Sequence, residues 1–226
     1  MLIPEHYVCL QGSRAGQLDR FLQVSTAACT LFMMADGFAQ CEASPHYVDW
    51  LTARLARLHG TEKSAEAICT EITHLLGEPS PTPGKASVAV VVAERGAYHF
   101  TTLGDTRIYG LASRTRTRDH SLAERCVSDG ECPADRLRFH PLRNRLIAWA
   151  GERKGAAPPV SWQAAACSPG ERLLLCTDGF WSQFEDEDVF SLDSAAALQT
   201  LCDRLTAAAG PPGHHDNFTA ALLRCG

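Results

Sequence analysis

The stretch LFMMADG, residues 31–37, is an apolar run that ends in an aspartate and a glycine. Leu31 to Met34 suit a buried strand, and Asp36-Gly37 suits its exit into an open loop. The pattern returns at LLLCTDG, residues 173–179, where Leu173 to Cys176 run into Asp178-Gly179. Two buried strands that each deliver a carboxylate to one edge of a core supply hard oxygen ligands, which fit Mg²⁺ or Mn²⁺. Asp216-Asn217 opens the last apolar run, FTAALL, and Gly104-Asp105 opens RIYGL. One Asp-Gly is ordinarily a turn. Four acidic strand ends in a chain of 226 residues point to a metal site.

Outward from these junctions, strands are expected at residues 6–13, 21–24 and 30–34, with Ser13 to Asp19 as a polar turn. Ser44-Pro45 reads as a helix start, with Ser44 as N-cap and Pro45 at the first helical position. Tyr47, Leu51, Leu55 and Leu58 then recur at helical spacing. After Gly60 a second helix starts at Thr61 and buries Ala65, Ile68, Ile72 and Leu75/Leu76. Strands at 87–93, 98–103 and 107–111 follow. The near-continuous apolar run SVAVVVA suggests a strand covered on both faces, by a sheet on one side and helices on the other. Residues 112–160 are charged and irregular, an insertion rather than a second domain. Residues 162–167 and 172–177 read as a strand pair across Ser168–Glu171. Asp193 is expected to cap a last helix buried through Leu198, Leu201, Leu205 and Ala208, before a closing strand at 218–224. Runs of strands broken by helices give an α+β class.

A formal net charge of −5 with no basic stripe argues against a nucleic-acid partner. No apolar run approaches the ~20 residues that cross a bilayer, and the first residues lack a signal-peptide pattern. The ten cysteines include no C-x-x-C pair, and Cys126 with Cys132 has no partners to complete a zinc site. Reduced thiols and a cytoplasmic location are therefore expected.

QGSRAGQLD (11–19), ADGF (35–38), LGDTRIY (103–109), RDHSLAE (118–124), HPLRNRLIAWAG (140–151), CTDGFW (176–181) and DNFTAALL (216–223) fall in this order. Together they resemble the metal-dependent serine/threonine protein phosphatases of type 2C, in their compact bacterial form, over nearly the whole chain. The resemblance implies a β-sandwich of two mainly antiparallel sheets flanked by helices on both sides, built as one catalytic domain over 1–226 with a flap at about 121–150. It also implies two Mn²⁺ or Mg²⁺ ions, with room for a third. Asp36, Asp178 and Asp216 would be the catalytic carboxylates. Asp19, Asp36, the Gly37 carbonyl, Asp105, Asp178 and Asp216 would hold metal, with Asp105 toward the third ion, and Arg14 would bind the phosphate. The substrate would be a protein phosphorylated by a serine/threonine kinase, and the enzyme a monomer.

The chain departs from the family pattern in places. Phe38-Ala39-Gln40 follows Asp36-Gly37 where two further glycines are usual, and Phe38 cannot protonate a leaving group. Leu18 stands where a second polar residue is expected. Lys85-Ala86-Ser87 replaces Gly-Thr-Thr, a change expected to affect packing alone. His214 and His215 read as loop residues, His120 and His140 as structural or flap residues, and Cys176 as a poor nucleophile because CTDGFW has no Arg to complete a phosphate-cradling Gly/Arg loop. These departures leave one alternative, a catalytically weak pseudophosphatase or regulatory module that binds a phosphoprotein or kinase.

Overall fold

The computed structural model describes residues 1–38, 45–153, 155–208 and 216–226. In chain order the strands are β1 (Leu2–Leu10), β2 (Asp19–Ser25), β3 (Thr30–Gly37), β4 (Lys85–Glu94), β5 (Ala97–Leu103), β6 (Arg107–Gly110), β7 (Thr115–Arg116), β8 (Ala150–Gly151), β9 (Gln163–Ala166), β10 (Arg172–Cys176) and β11 (Phe218–Cys225). The helices are α1 (His46–Ala56), α2 (Ala65–Gly77), α3 (Leu122–Ser128), α4 (Asp178–Trp181), α5 (Asp186–Phe190) and α6 (Ala195–Ala208), with a 3₁₀ turn at Ala134–Phe139.

The strands form two antiparallel sheets. One runs β1-β11-β10-β6-β7; the other runs β2-β3-β4-β5-β9, with β8 added beside β4. Side-chain alternation builds the layers. Leu31, Met33, Val88, Val90 and Val92 face outward onto Leu51 and Leu55 of α1 and Ile68 and Ile72 of α2. Their neighbours Phe32, Met34, Ala89 and Val91 face inward onto Leu173, Leu175, Ala221 and Leu223 of the other sheet. On the far side, Leu174, Cys176, Ala220 and Leu222 pack under Phe180, Leu198 and Leu201. The result is a four-layer α+β sandwich with both sheets covered, as the SVAVVVA run and the helical stripes imply.

Several local expectations change. The first strand begins at Leu2 and ends at Leu10, because its whole length pairs with β11. Asp19 is the first residue of β2 rather than part of a polar turn. α2 starts at Ala65, where the Ser64 hydroxyl accepts from the Ala67 amide at 3.2 Å. Residues 163–166 and 172–176 do not pair. Both sides of β10 are taken, by β11 and β6, so β9 joins β5 in the other sheet. Ser194, not Asp193, caps α6 through the Ala197 amide at 3.2 Å. Ser44, His214 and His215 lie outside the described residues.

Cys167, after β9, and Cys225, at the end of β11, form a disulfide with Cα atoms 5.6 Å apart. The expectation of reduced thiols throughout therefore fails at this pair. The cause is tertiary: residues 58 apart in sequence meet where the two sheets approach. Seven other cysteines among the described residues are free.

Candidate metal centre

Asp36 is the penultimate residue of β3, and the ladders set Asp19 opposite it on one side and Ser87 opposite it on the other. Directly opposed like charges weaken a strand pair, so the Asp19–Asp36 juxtaposition is not a device of sheet stability. Asp19 is 1% exposed. Its Oδ2 accepts from the Thr177 hydroxyl at 3.0 Å and the Thr219 hydroxyl at 2.8 Å, while its buried Oδ1 has no partner.

Asp105 sits between β5 and β6 and is also buried. Ser87 reaches it twice, donating its hydroxyl to Oδ1 at 2.7 Å and accepting from the Asp105 amide at 3.2 Å. Gly104 makes this approach possible. Its φ is +93°, and a Cβ there would lie 2.1 Å from the Ser87 hydroxyl oxygen. Ser87 therefore does more than pack, which corrects the reading of Lys85-Ala86-Ser87.

Asp178 opens α4 directly after β10. Its neighbour Gly179 leaves no room for a side chain, since a Cβ would meet the Asn217 carbonyl oxygen at 2.0 Å. That close approach brings the start of α4 against Asp216-Asn217. Asn217 then fastens the Arg14 loop: its Oδ1 accepts from the Leu18 amide at 2.8 Å, and its Nδ2 donates to the carbonyls of Gln11 and Gly16 at 2.7 and 3.0 Å. Arg14 forks onto Asp216 through Nε and Nη2, at 2.7 and 2.6 Å.

Arg14, Asp36, Gly37, Asp105, Asp178 and Asp216 line one cavity of about 770 Å³. Asp19 lies beneath it rather than on its wall. The carboxylates raise one another's pKa. Burial, then Asp19, Asp178, Asp105 and Asp216, hold Asp36 well above the usual range. Burial chiefly pushes Asp19 to about 7 and Asp105 to about 8. Asp178 is raised by burial too, against the pull of Arg143, whose guanidinium is 3.8 Å away. Clustered carboxylates with mutual repulsion and an unsatisfied oxygen fit a divalent cation. The lining donors are oxygens, the chemistry of Mg²⁺ or Mn²⁺ rather than Zn²⁺. Among the described residues no group of three or more His, Cys, Asp or Glu side chains is gathered closely enough to hold a metal ion by itself. A hard cation such as Mg²⁺ needs none, because one or two carboxylates hold it and water completes its shell.

Other contributors emerge only from the fold. Thr177 and Thr219 hold Asp19, Asn217 holds the Arg14 loop, and Arg107 anchors the segment after Asp105. Arg107 forks onto Asp119 at 2.8 and 2.7 Å and lies over the Trp181 ring, 3.4 Å from its centroid. The Trp181 indole in turn donates to the Asp105 carbonyl at 2.8 Å. GDTR, RDHS and DGFW are thus one contact network, which their separate places in the sequence conceal. His120 donates its amide to the Gly104 carbonyl at 2.8 Å, and the His140 ring accepts from the Leu142 amide, so both act on backbone. Cys176 is fully buried and burial pushes its thiol up, which leaves it inert.

No family model matches the chain. A putative type 2C protein phosphatase of Streptococcus pyogenes is 27% identical over 145 residues, covering 62% of this chain and 57% of that protein. Protein phosphatase PhpP of Streptococcus pneumoniae is 26% identical over 159 residues, covering 66% of this chain and 62% of that protein. The chain thus spans about three fifths of the length of these curated relatives. Among solved structures, the serine/threonine phosphatase of S. agalactiae superposes with a TM-score of 0.71 at 19% identity over 100% of both chains. PppA, a key regulatory component of the T6SS in Pseudomonas aeruginosa, gives 0.72 at 21% identity over 98% of this chain and 97% of its own. The catalytic domain of the serine/threonine protein phosphatase PstP, in complex with two manganese ions, gives 0.67 at 18% identity over 99% of each. With both sheets, their helices and the acidic edge in place, the chain has the fold of the metal-dependent type 2C serine/threonine protein phosphatases, and its sequence resembles that family.

Proposed function

We propose that the chain hydrolyses phosphoserine and phosphothreonine on proteins with the help of two Mn²⁺ or Mg²⁺ ions. The observation that carries this reading is the cluster of strand-end carboxylates around Asp36, with the unpartnered Oδ1 of Asp19 beneath it and the Arg14 fork at its rim. The manganese-bound relative of the same fold supports it. Asp36, Asp178, Asp216, Asp19 and the Gly37 carbonyl would hold the two ions, and Asp105 would reach a third. Ions bound there supply a water of lowered pKa and neutralise charge on the phosphate.

The chain's own residues do the positioning. Arg14 presents a planar two-donor fork of the kind that matches two phosphate oxygens. Asn217 fixes the loop that carries it, and Ser87 fixes the carboxylate of Asp105. Phe38 offers no proton to the leaving alkoxide, which would take one from water or from another group. A covalent intermediate is not invoked, because Cys176 is sealed in the core.

Residues 1–226 would form one catalytic domain acting as a monomer, with 121–150 as a flap over the site. The substrate would be a protein phosphorylated by a serine/threonine kinase. A cytoplasmic location fits that substrate class, since such phosphorylation draws on ATP. No helix among the described residues is long and apolar enough to cross a membrane. Hydrolysis of para-nitrophenyl phosphate with Mn²⁺, and its loss in excess chelator, tests the reading; full activity in chelator would defeat it. The pseudophosphatase alternative draws on the engagement of Arg14 by Asp216 and on the altered loop after Gly37. Mn²⁺ binding by calorimetry without turnover would select it.

A further inference from the structure

The cavity has a second wall that the metal chemistry leaves unused. Lys85, Arg145, Ile147 and Trp149 line it alongside the acidic floor. Lys85 is two residues before Ser87 on β4, so its side chain leaves the same face of the strand about 7 Å along. The Phe38 amide bonds its carbonyl at 3.0 Å, and the strand partner of Lys85 is Gly151, just past Trp149. The Lys85 ammonium stands over the Trp149 ring, 5.0 Å from the centroid, and the indole is itself pinned to the Glu152 carbonyl at 2.9 Å.

A cation–π contact fixes an ammonium in place without using up its three donors. Among the described residues neither Lys85 nor Arg145 has an acidic partner, whereas Arg14 is already forked onto Asp216. The cavity therefore offers a positioned, unneutralised cation alongside the carboxylate cluster. In an extended peptide two residues span about 7 Å, the backbone spacing from Lys85 to Ser87, the residue paired with Asp36.

We propose that Lys85, held by Trp149, forms a subsite for an anionic group on the substrate within about two residues of the phosphoester that is hydrolysed. The group is a carboxylate of Asp or Glu, or a second phosphoryl group. This inference rests on the phosphatase reading. Lys85 adds a fixed positive charge to this wall, so an anionic flank is favoured there over a neutral or basic one.

The test compares kcat/KM on phosphothreonine peptides that differ at the second flanking residue on either side: Glu, Gln, Lys or phosphoserine. Para-nitrophenyl phosphate serves as a reference. The wild-type chain is expected to favour Glu over Gln by roughly 3- to 10-fold on one side, the size of a single partly desolvated charge contact. A larger preference for phosphoserine assigns the subsite to a second phosphate, and a larger one for Glu assigns it to a carboxylate. Because each variant is read as a ratio between peptides, a general loss of rate cancels. Lys85→Met keeps the stem against Trp149 and should bring the Glu/Gln ratio to about 1. Lys85→Glu should invert the preference toward Lys. Wild-type turnover of para-nitrophenyl phosphate with equal rates on all peptides would overturn the subsite alone, as would a preference that survives Lys85→Met. Absence of Mn²⁺-dependent turnover on every substrate would overturn the phosphatase reading and the subsite together.

Discussion

Asp19 is 1% exposed, faces Asp36 across a strand pair and keeps one oxygen without a partner. Each feature costs stability. Its folded pKa of about 7 lies above the ~3.9 of an unfolded aspartate. Between those values the folded chain holds the extra proton, so this stabilising contribution is full below about pH 4 and is lost as pH rises through 7. Asp105, raised to about 8, adds in the same sense. In chelator the unfolding free energy should therefore fall from pH 5 to pH 8, by an amount on the order of a few kcal/mol, and the denaturation midpoint with it. Asp19→Asn should flatten the slope. A midpoint that rises over that range would show that these carboxylates are not strained. Arg14 gives a second prediction. A charge-assisted fork to phosphate forms in ground and transition states alike, so Arg14→Ala should raise KM for a phosphopeptide more than it lowers kcat. An unchanged KM would place Arg14 outside the substrate site. At this scale the sequence was legible where chemistry is local. Asp36 and Asp178 stand out because an apolar run precedes each. That Asp19 opens β2 rather than closing a turn, and that Ser87 bonds a carboxylate rather than only packing, is not legible locally, because the partners concerned, Asp36 across the strand pair and Asp105 in the turn after β5, lie 17 and 18 residues away (36 − 19 and 105 − 87).

The elements show the same division. Strand β4 and helices α1 and α2 follow from periodicity, since one face or both of each is fully apolar. Pairing partners do not. β9 and β10 are joined by a turn of the kind that makes hairpins, yet they part because β11 and β6 already occupy both sides of β10. The segment that leaves β6 is held by Arg107, which is 2% exposed and bonded to Asp119 at 6%. Removing one member of a buried pair strands the other, so Arg107→Ala should cost about 3–5 kcal/mol in denaturant unfolding. Asp119→Ala should cost a similar amount, and the double variant less than the sum. A loss below ~1 kcal/mol for both would mean the pair is dispensable and the Asp105 segment is held by something else.

Across the whole molecule, the sandwich converges four strand ends, from β3, β5, β10 and β11, on one edge, and the carboxylates there act as a group. The chain alternates between sheets to achieve this: β3 and β5 belong to one, β10 and β11 to the other. Neither sheet alone would assemble the carboxylate cluster, so the proposed metal chemistry depends on how the two are stacked. The order of motifs carried that architecture in the sequence, while the disulfide between Cys167 and Cys225 had no local signature. The most direct measurement is phosphate release from a phosphothreonine peptide by wild type, Asp36→Asn and Asp178→Asn across an Mn²⁺ titration. Each variant should fall at least ~10²-fold below wild type even at saturating Mn²⁺, because a lost ligand misplaces the attacking water. Wild-type turnover by either variant would contradict a catalytic centre built on these two strand ends.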